Sequence, residues 1–186
     1  MTASRFLSGQ FLLSMPGMGD SRFERAVVAI CSHDEEAALG IVVNHIRGDV
    51  DTHGLLSQLD IDPGDSPKRP VFSGGPVETA RGFVLHSLDY QSSGTLSVAG
   101  RWGLTATLDV LRDIAEGRGP KHWLVALGYT GWGEGQLEDE MLQHGWMTAR
   151  GRTELLWKVP VEERWKEAFS GEGLDVGLIA SAPGRA

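Results

Sequence analysis

The sequence has one cysteine, Cys31, among its 186 residues. A single cysteine excludes an intramolecular disulfide and any metal site built from four thiolates. No apolar run approaches the ~20 residues of a membrane-spanning helix. The first residues also lack the basic region and apolar stretch of a secretory signal. We therefore expect a cytoplasmic protein that does not contact the membrane.

Basic residues are also scarce, since 17 Lys and Arg stand against 25 Asp and Glu and give a net charge of −8. Close basic pairs are few, such as Lys68 with Arg69 and Arg150 with Arg152. This distribution disfavours direct binding of nucleic acid, which needs a basic patch or stripe. A transcriptional regulator that binds DNA directly is therefore only a second alternative.

Sequence motifs for cofactors and metals are missing as well. There is no Gly-x-x-x-x-Gly-Lys-Ser/Thr motif, so a nucleotide P-loop is unsupported. The 6 histidines show neither His-x₃-His nor His-Glu-x-x-His spacing, which are the local patterns typical of zinc sites. We predict no cofactor and no metal site.

What the sequence does contain is 25 glycines and several short apolar runs, in a chain of ordinary hydrophobic content at 41%. A chain of this length can bury one core, and we expect a single domain over residues 1–186. The runs at 26–31 and 39–43 flank an acidic turn, which predicts a central β-hairpin. Further strands are predicted at 10–14, 71–73, 82–87, 95–98, 122–129, 146–149 and 154–157. Helices are predicted at 51–59, 105–116, 136–144 and 161–169, with a short turn at 20–25 and a docked or partly mobile tail at 171–186.

Strands outnumber helices in this reading and do not alternate with them. Such an order is typical of the α+β class. We predict a mixed, mainly antiparallel sheet or a small closed β-barrel, flanked by three to four helices.

Three polar segments that carry glycine or proline lie at the ends of apolar strands, at 16–25, 73–76 and 129–136. Loops held in this way by a scaffold commonly bind ligands. A glycine pair more often forms a tight turn than an anion-binding site. Tyrosine and tryptophan side chains more often pack in the core than bind a ligand. The predicted binding residues are Asp20, Arg22, Phe23, Arg25, Ser73, Gly74, Gly75, Tyr129, Trp132 and Gln136. Their ligand is expected to be an unidentified small molecule or a protein partner.

An enzymatic alternative is a hydrolase that uses Cys31 or Ser73 as nucleophile with His33 or His86 as base. Residues 31 and 33 of one strand point to the same face, so contact between them is expected. Free cysteines are, however, among the most buried residues, which favours a core role for Cys31. No catalytic residue is therefore predicted.

Several short motifs together resemble the bacterial YqgE/AlgH family in order and spacing over nearly the whole chain. The family's Asp-Pro-Arg-Phe signature is present as Asp20-Ser21-Arg22-Phe23, without the proline. The other motifs are Met15-Pro16-Gly17, Phe23-Glu24-Arg25, Gly40-Ile41-Val42-Val43-Asn44, Ser73-Gly74-Gly75-Pro76-Val77, Gly82-Phe83-Val84-Leu85-His86-Ser87, Leu127-Gly128-Tyr129-Thr130-Gly131-Trp132-Gly133, Gln136-Leu137-Glu138 and Pro160-Val161-Glu162-Glu163-Arg164-Trp165.

The resemblance implies a compact α+β domain with a small β-barrel-like core wrapped by helices. It implies no reaction, because the family has no settled biochemical activity. One branch is associated with regulation of exopolysaccharide (alginate) production. Taken with the residues above, it predicts a non-enzymatic cytoplasmic protein with a regulatory or binding role.

Overall fold

The computed structural model describes residues 6–143 and 145–180. Ten strands and six α-helices lie in this part of the chain, together with 3-10 turns at Ser21–Phe23 and Val161–Glu163. The strands are β1 Phe11–Ser14, β2 Val27–His33, β3 Ala38–Val42, β4 Ile46–Asp51, β5 Pro70–Ser73, β6 Val77–His86, β7 Thr95–Val98, β8 Trp102–Thr105, β9 Trp123–Trp132 and β10 Trp146–Ala149. The helices are α1 Thr52–Gln58, α2 Leu108–Ala115, α3 Gln136–Leu142, α4 Glu154–Trp157, α5 Arg164–Gly171 and α6 Val176–Ala180.

The sheet confirms the predicted α+β class. Its strand order is β10-β1-β2-β3-β9-β6-β8-β7, and β4 and β5 are attached at one side. All pairs are antiparallel except β5 with β9, so the sheet is mixed but mainly antiparallel. It curls into a half-barrel rather than a closed barrel, and β10 and β7 stand at its two ends.

Strand β9 joins the two halves of this sheet. Its residues 125–127 pair with β5 on one side and with β6 on the other. Its residues 130–132 then pair with β3. Gly128, between these two stretches, has a φ of 83°, a left-handed backbone conformation that glycine adopts without steric cost. One strand therefore ties the β1–β3 half to the β5–β8 half.

Strand β2 is covered on both of its faces. Val27 and Ala29 point into a cluster that also holds Phe169 of α5. Val28 and Ile30 point into a second cluster with Trp146. This near-continuous apolar run is what a strand buried on both faces requires. The sequence prediction of a central hairpin from β2 and β3 is confirmed.

Three parts of the predicted element list are wrong. Residues 154–157 form the helix α4 rather than a strand, and periodicity cannot distinguish the two in so short an apolar run. Strands β4 and β8 were not predicted, and six helices are present where three to four were expected. The end of the helix predicted at 136–144 and the tail at 181–186 lie outside the described residues, although α6 occupies 176–180.

Candidate functional site

A cavity of about 760 Å³ lies between loop 15–25 and the helices α5 and α6. This volume is in the range of small-molecule sites. Its walls combine methionine, proline, valine and tryptophan with charged groups of both signs. The lining residues are Met15, Pro16, Gly17, Met18, Gly19, Asp20, Ser21, Glu24, Arg25, Asn44, His45, Val161, Glu162, Trp165, Lys166, Val176 and Gly177.

The first part of loop 15–25 is fixed by local contacts. The Asp20 carboxylate accepts a hydrogen bond from the backbone N–H of Arg22 at 3.0 Å and forms an ion pair with its guanidinium at 2.8 Å. The Arg22 hydrogen bond holds the pKa of Asp20 below its usual value. Phe23 is buried and lies edge-on to Trp146, with ring centroids 5.3 Å apart. Arg22 is therefore already paired, and Phe23 anchors the loop to the core.

The end of the loop is held by the residues that follow β3. Arg25 has a φ of 52°, which is uncommon for a residue with a side chain. The Asn44 amide donates to the Arg25 carbonyl at 2.7 Å and accepts from the backbone N–H of Val27 at 2.8 Å. His45 Nε2 donates to the Glu24 carbonyl at 2.8 Å. These contacts stabilise the left-handed turn that presents the Arg25 side chain.

The Arg25 guanidinium lies over the ring of Trp165, 5.5 Å from its centroid. Trp165 is itself fixed, because its indole N–H donates to the Ser14 carbonyl at 3.0 Å. Within the described residues, Arg25 forms no ion pair with a carboxylate. The cavity thus has an apolar floor with an exposed, unneutralised cation beside it.

The glycine pair of the predicted site has a different setting. Gly74 donates to the Leu127 carbonyl at 2.8 Å and accepts from the Val42 N–H at 2.9 Å, so its backbone bridges β3 and β9. A Cβ atom at Gly74 would lie 2.3 Å from the Gly128 carbonyl oxygen. A Cβ atom at Gly75 would lie 2.2 Å from the carbonyl carbon of Tyr129. The Gly-Gly motif therefore permits a backbone crossing inside the sheet.

The remaining predicted binding residues also have structural contacts. Tyr129 packs edge-on against Phe83 at 5.8 Å. Trp132 is buried beside Trp146. The Gln136 side chain accepts from the backbone N–H of Gly133 at 3.0 Å, at the start of α3.

Only part of the predicted composite surface thus comes together in this cavity. Asp20 and Arg25 line it. Ser73 adjoins it, because its backbone N–H donates to the His45 carbonyl at 2.7 Å. Arg22, Phe23, Gly74, Gly75, Tyr129, Trp132 and Gln136 do not line it. Ligand binding by any of the predicted site residues, inside or outside this cavity, stays a prediction.

The structure contradicts the pairing of Cys31 with His33. A β-bulge between Ile30 and Ser32 inserts a residue into β2, so positions 31 and 33 do not share a face. His33 instead accepts from the Leu7 N–H at 3.0 Å through Nδ1 and bonds Glu138 at 2.7 Å through Nε2.

The Cys31 thiol also lacks the properties of a nucleophile. It is buried within the core, and its sulfur lies 3.5 Å from the Ala29 carbonyl. Burial raises the pKa of Cys31 to about 12, far above the value that a reactive thiolate needs. Cys31 is therefore a core residue.

His86 does not supply a base for Ser73. One ring nitrogen of His86 bonds the Thr105 hydroxyl at 2.8 Å, and the other bonds the Ser87 carbonyl at 2.9 Å. Burial lowers the pKa of His86, which favours the neutral form of the ring. Both nitrogens are thus used inside the fold, and no hydrogen bond joins Ser73 to a histidine side chain among the described residues.

Residues 6–143 and 145–180 contain no group of three or more His, Cys, Asp or Glu side chains placed to hold a metal ion. None of the described helices has the length and apolar character needed to cross a bilayer.

A buried arginine, Arg164, is the main feature that the sequence analysis missed. Its guanidinium donates to the carbonyls of Val43, Leu156 and Val159 and lies 5.4 Å from the ring centroid of Phe72. Burial lowers the pKa of Arg164 to about 10. A signal was present in the sequence, because residue 164 falls on the apolar face of the predicted helix at 161–169.

Comparisons with known proteins agree with one another. Residues 11–177 match a family model described as AlgH-like. Proteins described as UPF0301 from Novosphingobium aromaticivorans and Rhizorhabdus wittichii are each 53% identical over 186 residues, covering 100% of both chains. The solution structure of the AlgH protein from Pseudomonas aeruginosa is similar, with a TM-score of 0.79 and 34% identity over 100% of this chain and 99% of that one. A crystal structure from Corynebacterium diphtheriae shares the fold at 18% identity, with a TM-score of 0.77 over 97% of this chain and 95% of that one.

Proposed function

The chain belongs to the AlgH-like family, and we propose that it is a non-enzymatic cytoplasmic binding protein that acts through the cavity beside loop 15–25. The ligand is a small molecule or a segment of a protein partner with an apolar body and an acidic group. The observation that carries this proposal is the Arg25 guanidinium, which lies over Trp165 at the cavity without a carboxylate partner among the described residues.

The chemistry of the walls supports such a ligand. Met15 and Met18 have flexible, polarisable side chains that adapt to different apolar shapes. Arg25 can form a bidentate pair with a carboxylate or phosphate. Lys166 adds a second cation, while Glu24 and Glu162 at the same cavity disfavour ligands with dense negative charge.

Cys31, His33 and His86 each make contacts inside the fold and are not available as a nucleophile or a base. This supports a binding role rather than hydrolase activity. A regulatory role, which the resemblance to one branch of the family implies, would then come from ligand-dependent contact with a partner. We assign this chain no reaction.

The test is affinity capture from a cell extract of a related bacterium, with mass spectrometry of both the bound proteins and the bound small molecules. Wild type is compared with Arg25→Ala and with the control Arg22→Ala, which removes an arginine from the same loop that is already paired with Asp20. We expect at least one species that wild type and Arg22→Ala retain and Arg25→Ala loses by about tenfold, the effect of one charge-assisted hydrogen bond. Identical captures by all three proteins would contradict the proposal.

A further inference from the structure

A second cleft lies where the start of β5 meets the start of β9, and it shares Val161 with the cavity beside loop 15–25. Its volume is about 250 Å³. Arg69 and Trp123 line this cleft and also line an adjoining cleft of about 490 Å³ that holds Lys121. We refer to the smaller one as the Arg69 cleft and to the larger one as the Lys121 cleft.

The Arg69 cleft is lined by basic residues and has no carboxylate. Its basic side chains are Arg69, His122 and Arg164, and no Asp or Glu belongs to its lining. This is unexpected in a chain whose net charge is −8. A cleft with one sign of charge and apolar walls concentrates counterions of the opposite sign.

Arg69 is held in place but keeps free donors. Its backbone exchanges two hydrogen bonds with Thr52, each of 2.9 Å. Its guanidinium lies on Trp123, 4.2 Å from the ring centroid, and donates once, to the Trp123 carbonyl at 3.1 Å. Within the described chain its other N–H groups have no acceptor and it has no ion-pair partner. Burial lowers the pKa of Arg69, as expected for a cation without a neutralising neighbour.

His122 presents a second set of free polar atoms. Its ring stacks on Trp157 with centroids 5.8 Å apart and an interplanar angle of 13°. Its backbone N–H donates to the Ser87 hydroxyl at 3.0 Å. Neither ring nitrogen has a hydrogen-bond partner among the described residues. The stack fixes the ring plane, so a donor is available in a defined direction.

Glu162 stabilises the charged form of Arg164, and the other carboxylates nearby are already engaged or lie in the wider cleft. Asp89 accepts from the backbone N–H of Lys121 at 2.9 Å and from the Ser87 hydroxyl. Glu116 forms an ion pair with Arg118. Asp65 lines the Lys121 cleft but not the Arg69 cleft. The Lys121 ammonium has no ion-pair partner within the described residues.

We propose that the Arg69 cleft binds a small oxyanion, the phosphate or carboxylate group of a metabolite-sized ligand. Arg69 donates to two of its oxygens, the geometry in which guanidinium groups bind such anions. His122 donates to a third oxygen, and the buried charge of Arg164 strengthens the attraction. Lys121 binds a second anionic group in the adjoining cleft. This site meets the cavity beside loop 15–25 at Val161, but Arg69 lines only this site and Arg25 only that cavity, so either proposal can be disproved without the other.

The test is a titration of ¹⁵N-labelled protein with pyrophosphate and, in a second arm, with citrate, at constant ionic strength set by sodium chloride. The indole N–H signals of Trp123 and Trp157 report on the cleft. We expect saturable shifts of these signals with at least one of the two anions. A response to pyrophosphate alone would identify phosphate as the preferred group, and a response to citrate alone would identify carboxylate. Arg69→Gln should raise the dissociation constant by about tenfold or more, because it removes a charge-assisted pair.

The control is Arg112→Gln, which removes an exposed arginine of α2 that forms no ion pair among the described residues. It should bind as wild type does. If Arg69→Gln unfolds, Lys121→Gln and His122→Gln test the proposed site in its place. Each should weaken pyrophosphate binding. No saturable shift in wild type with either anion would overturn the proposal, as would equal affinities of wild type and the folded cleft variants.

Discussion

Segments 16–25 and 73–76 have the same sequence signature, a turn of glycine and proline after an apolar strand, yet the fold uses them in opposite ways. The first borders an open cavity and is held at its ends by side chains, chiefly Asp20 and Asn44. The second passes between β3 and β9, where no side chain fits at Gly74 or Gly75. The comparison teaches that glycine next to a strand end marks either a presented loop or a tight crossing, and that backbone surroundings decide which.

The largest effect is expected for Gly75→Ala. The new Cβ would lie 2.2 Å from the backbone of Tyr129, a contact that flexible side chains cannot relieve. We expect the free energy of unfolding to fall by roughly 4 kcal/mol or more, measured by urea denaturation. The matched control is Gly19→Ala in loop 15–25, where φ is 91° and nothing lies within 4 Å of the new atom. It should cost only about 1 kcal/mol for the backbone conformation. Similar losses of unfolding free energy for Gly75→Ala and Gly19→Ala would contradict the distinction between segments 73–76 and 16–25.

The next effect separates a buried arginine of α5, Arg164, from an exposed arginine of α2, Arg112. Arg164→Met should lower the free energy of unfolding by about 3 kcal/mol, because the buried carbonyls of Val43 and Leu156 lose their donor. Thermal or urea denaturation measures this loss. Arg112→Met, on the exposed side of α2, should stay within about 0.5 kcal/mol of wild type. A neutral Arg164→Met would show that the guanidinium is not part of the core.

A smaller effect is expected where the presented loop is fastened to the sheet. Asn44→Ala leaves the Val27 N–H and the Arg25 carbonyl without their partner and should cost about 1–2 kcal/mol. Truncation of a second side-chain amide, Gln136→Ala at the start of α3, removes one exposed hydrogen bond and should cost about 0.5 kcal/mol. Denaturation curves recorded in parallel give both values. If Gln136→Ala proves the more costly, Asn44 is not what holds the loop.

An effect on stability smaller than that of Asn44→Ala is expected for Arg25→Ala. The side chain is exposed, and its contact with Trp165 is worth about 0.5–1 kcal/mol at such a site. The same variant should lose ligand capture, so stability and binding separate at this residue. A loss of stability as large as that of Arg164→Met would place Arg25 in the core and weaken its assignment to the cavity.

The sequence predicted the strands whose apolar residues form continuous runs, because burial on both faces leaves that pattern. Strand β4 was missed because it lies at a sheet margin and most of its residues are exposed or half-buried. Strand β8 was missed because Gly103 interrupts its apolar pattern. The ring of His86 occupies the space that a side chain at residue 103 would take. The need for glycine at residue 103 thus arises from a contact between β8 and β6, and a local sequence pattern carries no information about such a contact.

The candidate site was predicted in part for a similar reason. Loop 15–25 was identified from its composition, and Asp20 and Arg25 do line the cavity. The helices that form the opposite wall, α5 and α6, could not be assigned to it, since their approach depends on the curl of the whole sheet. The bulge at Cys31 likewise gives no local signal, and the same-face rule for alternate residues of a strand failed there.

The double pairing of β9 has a consequence for synthesis of the chain. Strands β3, β5 and β6 all emerge from the ribosome before β9, which is the neighbour that each of them needs. At about 5–20 residues per second, their apolar edges stay unpaired for seconds. Neither half of the half-barrel can close until residue 132 is available, and β1 waits longer still for β10. A strand near the C-terminal third of the chain therefore completes both halves together, and until then these apolar strand edges stay exposed on the nascent protein.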